Sequence, residues 1–471
     1  MSDIYFKPAA NVVTRYVITG RLKLLRPTSL SNGDIEGLTD IALRRDAVNN
    51  KPVLPGTSLA GALRDYLIQR VGQKGDLNQL LVKQLFGFNE QARGESHQSW
   101  LFIEDAFGEE AGIEIRGGVV IDPESRTAAD KKKFDIEFLA AGTTFNLCIE
   151  FWEPSGNPLQ LRQLLAQALL GLQKGEISLG GRKRRGFGEC KVEDWQVHRY
   201  SMSNKADIVR WLEQDKTSPE NGETLTDMLT LPSLPALNQP RSCRLQARFA
   251  LDGSLLIRSA AVDPKGADQL HLRNAAGQPV ISGSSLAGVL RARARRIVQL
   301  LQPQNQAAAF VNDLFGQEMK DKEKVNPKAS RLWVREMPIR EFSGSLVADR
   351  VQSRVKIDRF TGGSYPTALF DQQPVFQGEV TVDVTIQRPH SADVGLLLLL
   401  LKDLWTGDLA IGGESSVGRG RMQGQRATLT WNDEQWRITT RPDGKLDIDG
   451  ERDPLEAAVK ALKVSEEVSD E

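Results

Sequence analysis

Two glycine-rich segments carry the first chemistry, residues 179–188 (LGGRKRRGFG) and 411–420 (IGGESSVGRG). They share glycines at the same places: Gly180, Gly181, Gly186 and Gly188, then Gly412, Gly413, Gly418 and Gly420. Glycines so spaced let a loop approach another backbone closely and turn its N–H groups outward, a design suited to phosphate. Arg182, Lys183, Arg184 and Arg185 lie in the first loop, and Arg419 and Arg421 at the second. The plainer alternative is a turn packed tightly on its own sheet. No GK[ST] follows, so neither is a Walker A loop.

A second pair of anion-binding candidates is a helix start at residues 56–58 (GTS) and 283–285 (GSS). Thr57 or Ser58, and Ser284 or Ser285, are the expected N-caps. The free N–H groups and dipole of a helix N-terminus attract anions, and Arg64 and Arg291 follow within one to two turns. Simple capping explains the same residues equally well. Asp40 and Asp268 correspond once the loop after Asp268 loses one residue. A carboxylate beside a phosphodiester orients a hydroxyl nucleophile or holds a divalent cation; alone, an Asp in a polar loop caps a turn. Residues 121–142 and 357–378 read as protruding hairpins with polar tips. Arg359, Phe360 and Tyr365 in the second tip are suited to stacking on bases, whereas the first tip reads as a variable surface loop. His97, His198, His271 and His390 show no metal-ligand spacing, although His271 lies near Asp268. The arginines at 291, 293, 295 and 296 spread over several helix faces, as on a solvated surface, yet adjoin the second helix start.

The glycine loops, helix starts, aspartates and hairpins each occur twice because the chain is a tandem repeat. PVLPGTSLAGALR (52–64) returns as PVISGSSLAGVLR (279–291), and SWLFIED (99–105) resembles SRLWVRE (330–336). LFG recurs at 85–87 and 314–316. Ile121, Asp122, Phe134 and Gly142 match Ile357, Asp358, Phe370 and Gly378 at one constant offset. The expected organisation is a first domain at 1–200, a linker at 201–240, a second domain at 241–440 and a charged tail at 441–471. Strands are expected at 16–25, 143–151, 244–257 and 379–386. Helices are expected after each GTS or GSS and at 161–172 and 394–404, with a short one early in the linker and another at 454–464. The last eight residues read as disordered. Strands before helices, in two rounds per copy, imply an α+β class: two tandem RRM-like, ferredoxin-like domains with inserted hairpins.

Composition sets the limits. The 471 residues hold 61 Lys+Arg and 61 Asp+Glu, for a net charge of zero. The zero hides an uneven distribution: residues 1–200 carry +1, 201–240 −3, 241–440 +7 and 441–471 −5. A neutral total therefore does not exclude nucleic acid. The longest apolar run, residues 394–401 (VGLLLLLL), is far shorter than the ~20 residues of a membrane span and reads as a buried helix. The opening residues MSDIYFKPAANVV have no basic stretch followed by an apolar core, so they are not expected to be a secretory signal. Cys148, Cys190 and Cys243 form no CxxC pair, so neither a zinc site nor a disulfide framework is expected, and a reducing cytoplasm is the expected setting.

Taken together, PGTSLAG and SGSSLAG, the segment before Glu336, the Ile-Asp…Phe…Gly block and the IGG-x4-G-x-G loop resemble the RAMP superfamily of CRISPR proteins. The resemblance is to the backbone subunit of type III effector complexes, here in two fused copies as in type III-D systems, and covers most of residues 10–430. It implies an RRM-like core whose helix start and glycine loop hold guide RNA. The corresponding residues are Thr57, Ser58, Arg64, Gly180, Gly181, Arg182, Lys183, Arg184, Arg185, Ser284, Ser285, Arg291, Gly412, Gly413 and Arg419. It implies a thumb hairpin, with Arg359, Phe360 and Tyr365 in the second copy, that flips out a nucleotide of the guide–target duplex. It also implies an endoribonuclease acting on target single-stranded RNA, with Asp40 and Asp268 catalytic and holding Mg²⁺ or another divalent cation. Asp40 and Asp46 keep the family's Asp-x5-Asp step before Pro55; in the second copy Asn274 stands where the second Asp would be. The family's Lys after Ser-Leu is replaced by Ala60 and Ala287. Partners implied are guide RNA, target RNA and other effector subunits, with no membrane. Two alternatives stand beside this: a non-catalytic guide-binding scaffold, and a metal-independent guide-processing ribonuclease, a class that relies on His.

Overall fold

The computed structural model describes residues 12–31, 39–71, 77–90, 95–122, 125, 127–155, 158–213, 222–225, 238, 240–260, 266–317, 328–340, 351–441 and 446–463. The chain forms two compact units. One comprises Met1–Ile115, Asp135–Lys183 and Phe187–Pro240; the other comprises Arg116–Phe134, Arg184–Gly186 and Arg241–Glu471.

The principal elements of the first repeat are β1 (Val12–Leu24), β2 (Val53–Leu54), α1 (Gly56–Ile68), α2 (Leu77–Phe86), β3 (Leu101–Ile103) and β4 (Ala106–Glu109). They continue with β5 (Ile113–Ile121), β6 (Ala128–Leu139), β7 (Thr144–Pro154), α3 (Pro158–Gln173), β8 (Cys190–Ser201), α4 (Lys205–Glu213) and β9 (Glu223–Thr224). The main sheet runs β9-β8-β1-β7-β4-β2, and its pairs are antiparallel. Alternation along β1 sends Tyr16, Ile18, Leu22 and Leu24 into a core with Leu59, Leu63 and Leu67 of α1 and Leu161, Leu165 and Leu169 of α3. Four strands ordered last, first, third, second, with two helices on one face, are the ferredoxin-like arrangement. The hairpin β5–β6 is inserted between the second and third of them.

The second repeat follows the same plan. Its elements are β10 (Ser242–Asp252), β11 (Gln269–His271), β12 (Val280–Ile281), α5 (Gly283–Leu301), α6 (Gln304–Phe315), β13 (Leu332–Val334) and β14 (Met337–Arg340). There follow β15 (Gln352–Ile357), β16 (Ser364–Gln373), β17 (Glu379–Gln387), α7 (Ser391–Trp405), β18 (Arg421–Trp431), β19 (Glu434–Thr440), β20 (Leu446–Asp449) and α8 (Asp453–Lys460). The sheet order is β12-β14-β17-β10-β18-β19-β20, and β15–β16 is the inserted hairpin. The apolar run 394–401 is α7, with Val394, Leu396, Leu397, Leu400 and Leu401 buried in the core. Leu455, Ala458 and Leu462 join that core, so part of the charged tail is structural.

The fold is therefore the expected α+β pair. The short linker helix is α4, and α8 falls where the tail helix was expected; residues 464–471 lie outside the described ones. The expected N-caps are corrected. Pro55 and Ser282 cap α1 and α5, and Gly56 and Gly283 are already helical. A capping side chain has to sit just outside the first helical residue. Only Ser282 does so with an acceptor, its Oγ taking the Ser285 N–H at 3.2 Å. Thr57, Ser58, Ser284 and Ser285 lie within the first turn. All three cysteines are free and buried. Burial pushes the Cys190 and Cys243 thiols up to about 12, so neither is a reactive thiolate near neutrality. Among the described residues no helix is long and apolar enough to cross a membrane.

Candidate nucleic-acid interface

The two aspartates occupy matching places at the root of each hairpin. Asp40 accepts a hydrogen bond on Oδ2 from the Asp135 N–H at 2.8 Å. Asp268 accepts one on Oδ2 from the Asp371 N–H at 2.9 Å. The next residue in each case pairs parallel with the returning hairpin strand, Ile41 with Ile136 and Gln269 with Gln372. In the first copy Glu137 adds two more ties, accepting from Thr39 Oγ1 at 3.2 Å and the Leu43 N–H at 3.1 Å. Both Asp40 and Asp268 are exposed. The gap placed after Asp268 is thus the right one. Asp135 and Asp371 were missed, although a repeated signal was present: each follows the matched Phe134 or Phe370 as a Phe-Asp pair.

The helix starts differ in detail. Thr57 and Ser58 are exposed, and Arg64 is half-buried on α1. The Gly56 N–H donates to Asp105 Oδ1 at 2.8 Å, so one of the orphan donors of α1 is already satisfied by a residue whose role sequence reasoning missed. Ser284 is exposed and Ser285 half-buried. Arg291 donates to Asn312 Oδ1 of α6 at 2.9 Å.

The glycine loops depart from expectation. Rather than turning their N–H groups outward, Gly181 and Gly188 donate to Ser29 O and Pro27 O, each at 3.0 Å. Gly413 and Gly420 donate to Leu256 O and Ser254 O, each at 2.8 Å. The four amides staple the loop to the segment after each repeat's first strand, because a glycine-only approach brings two backbones within hydrogen-bond reach. Gly180 and Gly412 sit at the same stapled corner, with φ of 76° and 84°. The basic residues divide. Arg182 is exposed with left-handed backbone, and Lys183–Arg185 form one 3-10 turn. Within the second compact unit Arg184 lies 5.8 Å over the Trp333 ring, and Arg185 donates to Phe315 O at 3.5 Å.

Arg419 is not an outward phosphate ligand. It is 2% exposed, pairs with Glu414 at 3.4 Å and donates to Gln352 Oε1 at 2.6 Å. Arg258 and Arg354 converge on the same Glu414, each at 3.3 Å, so three guanidiniums share one carboxylate. Burial pushes the Glu414 carboxyl up, but a hydrogen bond from Gln372 together with the three guanidiniums holds it below its ordinary value. Gln372 bridges Glu414 to Gln269, the neighbour of Asp268. In the first copy Phe187 takes the place of Arg419 and stacks on Phe138 at 4.3 Å.

The hairpin tips share a device. Asp122 accepts from the Ser125 N–H at 2.8 Å; Asp358 accepts from the Phe360 and Thr361 N–H groups at 2.7 and 2.9 Å. This Asx-type turn presents Phe360 at 99% exposure, with Arg359 and Tyr365 also exposed. Lys356 lies 4.7 Å over the Tyr365 ring.

His271 is no partner for Asp268 in acid–base chemistry. It is 3% exposed; its Nδ1 accepts from the Ile257 N–H at 3.2 Å, and Nε2 lies 3.1 Å from Val280 O. Burial lowers its pKa to about 4. The folded state therefore binds the proton more weakly than the unfolded chain, whose histidine titrates near ~6.5. Its contribution to stability is complete above that value and is lost as pH falls toward 4. Unfolding of the second unit followed against pH should show a loss of order 3 kcal/mol across this window, absent in His271→Gln.

No group of three or more His, Cys, Asp or Glu side chains that could hold a metal ion occurs among the described residues. The model of the RAMP superfamily matches residues 12–191 and 249–423. No curated protein matches the chain.

Proposed function

The chain belongs to the RAMP superfamily, which supports a CRISPR-associated RNA-binding role, and from that premise we propose that it is the fused backbone subunit of a type III effector. On this reading it works in the cytoplasm with other effector subunits, binds guide RNA and cleaves the annealed target RNA at two positions. The observation that carries the proposal is the repeated one: an exposed aspartate held in the same way at the root of each inserted hairpin.

Base pairing to the guide supplies sequence recognition, while protein groups hold phosphates. The thumbs distort the duplex so that one target linkage lies in line. The target 2′-hydroxyl then gives up its proton and attacks the adjacent phosphorus. The bond from phosphorus to the 5′-oxygen breaks, that oxygen takes a proton, and a 2′,3′-cyclic phosphate is left. Asp40 and Asp268 orient the hydroxyl. The donor set fits a divalent cation only as a shared one, since a single carboxylate per site needs RNA phosphate oxygens to complete the ligand set. When bound, such an ion supplies charge neutralisation at the phosphate.

A second feature fits RNA at the helix starts. Gly61 and Gly288 occupy the same exposed place in α1 and α5, and a Cβ at either would meet nothing within 4 Å. A mid-helix glycine costs ~0.5–1 kcal/mol relative to alanine. Repeated where the chain itself does not require it, it leaves room for a backbone to come close. Gly61→Ala and Gly288→Ala should therefore each stabilise the RNA-free protein by about that amount, while Gly288→Arg excludes the strand. Purification with its partner subunits should yield short RNAs of defined length, depleted in a Gly61→Arg/Gly288→Arg variant. Nucleic-acid-free protein under those conditions would sink the guide-binding reading.

The scaffold alternative has its own support, because each aspartate also anchors its hairpin. Processing by a histidine loses its nearest candidate, since His271 is neutral and buried.

A further inference from the structure

The outer faces of the two core sheets are finished differently. In the first unit α4 covers the outer face: Arg15 lies between the Trp152 and Trp211 rings, at 4.2 and 4.0 Å, beside the small cluster of Val17, Cys148 and Tyr200. In the second unit the matching face is an open trough of about 700 Å³ across β14, β17, β10, β18 and β19. Arg248, Arg340, Arg426 and Arg437 line it, and Glu379 is the one carboxylate among its described lining residues.

The strand register makes this crowding specific. Arg248 stands directly opposite Arg426. One strand further, Thr428 faces Arg437 and Arg426 faces Thr439. Like charges directly opposite each other destabilise a sheet. Glu379 answers only part of the charge: it pairs with Arg248 and stands opposite Arg340. Arg426 and Arg437 are exposed, and Thr381, Thr428, Thr439 and Gln246 place hydroxyl and amide donors between the guanidiniums. The positive strip continues along the same face, where Arg244 and Arg335 share Asp383.

We propose that this trough is a second nucleic-acid surface, one that grips the phosphates of a single RNA strand without reading its sequence. Guanidinium forks match phosphate oxygens in pairs, and the interleaved threonines and glutamine complete a phosphate- and sugar-binding set. RRM-like sheets that read bases do so by aromatic stacking; among the described residues no aromatic side chain lines this trough. A protein partner would need a buried apolar or aromatic anchor at its centre, and the lining's Val380, Ala427 and Ile438 are already buried in the sheet. The surface is separate from the helix-start and thumb groups, so it stands or falls independently of the guide-binding reading.

The test is the full chain with Arg340, Arg426 and Arg437 all changed to Gln, titrated with a fluorescent 20-nucleotide oligouridylate at several salt concentrations. The three side chains are exposed and one of them stands opposite a like charge, so the melting temperature should not fall. Affinity should fall at least ten-fold at 0.1 M salt, and the log–log salt slope should become shallower by about 2, since each phosphate contact on a single strand contributes ~0.7. Gly288→Arg, assayed in parallel, reports on the helix start alone. Loss there with unchanged affinity and slope in the triple variant would overturn the trough proposal and leave the guide-binding reading intact. Polyglutamate binding to the trough that oligouridylate does not displace would overturn it too, in favour of an acidic protein partner.

Discussion

Changing Asp40 and Asp268 together to asparagine should abolish cleavage of guide-annealed target RNA while guide RNA stays bound. Asparagine is the informative replacement. Its side-chain carbonyl still accepts the Asp135 or Asp371 N–H that each carboxylate holds in the structure. The hairpin root therefore stays tied, and only the negative charge is lost. A positioned general base contributes roughly 10²–10⁴ in rate, so each single variant should lose one of two cleavage products by about that factor and leave the other. Alanine removes the charge and the tie together. Comparing Ala with Asn at each position separates chemistry from anchoring. The readout is the length pattern of labelled target fragments from the assembled complex, beside the amount of RNA that co-purifies. Unchanged fragments with both asparagines present leave the aspartates as anchors only, and the chain as a scaffold.

The second large effect concerns folding. Gly420→Ala should prevent stable folding of the second unit, whereas Gly418→Ala in the same loop should be tolerated. Both glycines have left-handed backbone, with φ of 80° and 89°, a conformation that costs an L side chain ~1–2 kcal/mol. They differ in what surrounds them. A Cβ at Gly420 would lie 1.9 Å from the Ile411 carbonyl oxygen, while one at Gly418 would meet nothing within 4 Å. Making room at 420 breaks the Ile411 N–H bond to Gly420 O at 2.9 Å and the Gly420 N–H bond to Ser254 O at 2.8 Å. Strain, clash and lost buried bonds together should exceed about 4 kcal/mol, the range of exceptional single substitutions. Gly418→Ala should cost about 1 kcal/mol. Gly188→Ala should repeat the large effect in the first unit, since its Cβ would lie 2.0 Å from Leu179 O at the same kind of φ. Denaturant unfolding of the full chain gives all three values.

The glycine loops also show how far spacing carries. Four recurrent glycines announced a special backbone, and that much was correct. Spacing alone did not say which neighbour the backbone approaches. The answer is the segment just after each repeat's first strand, so the packed-turn alternative describes Gly181, Gly188, Gly413 and Gly420. Arg419 has the same lesson. A basic residue beside such a loop reads as a ligand for phosphate, but its guanidinium turns inward because Glu414 and Gln352 meet it there. Glu414 belongs to the same loop, but Gln352 comes from β15, 67 residues earlier, and no local pattern announces it.

What the amino-acid sequence determined by itself was repetition and periodicity: two copies, their α+β order, the buried α7, and a shared order of motifs. Period-2 and period-3.6 patterns record which face of a strand or helix is buried, and two aligned copies cancel accidental matches. They even located Asp40 and Asp268, through a gap that the matching hydrogen bonds support. Tertiary structure alone decided where charge faces. It buried His271 and Arg419, gathered three arginines on Glu414, and set Arg248 against Arg426 across a strand pair. The near bonds of His271 and the Glu414–Arg419 pair apart, those placements depend on contacts between residues about 60 to 180 positions apart. Each side chain's direction is set by sheet register and helix cover, which no stretch of the chain encodes locally.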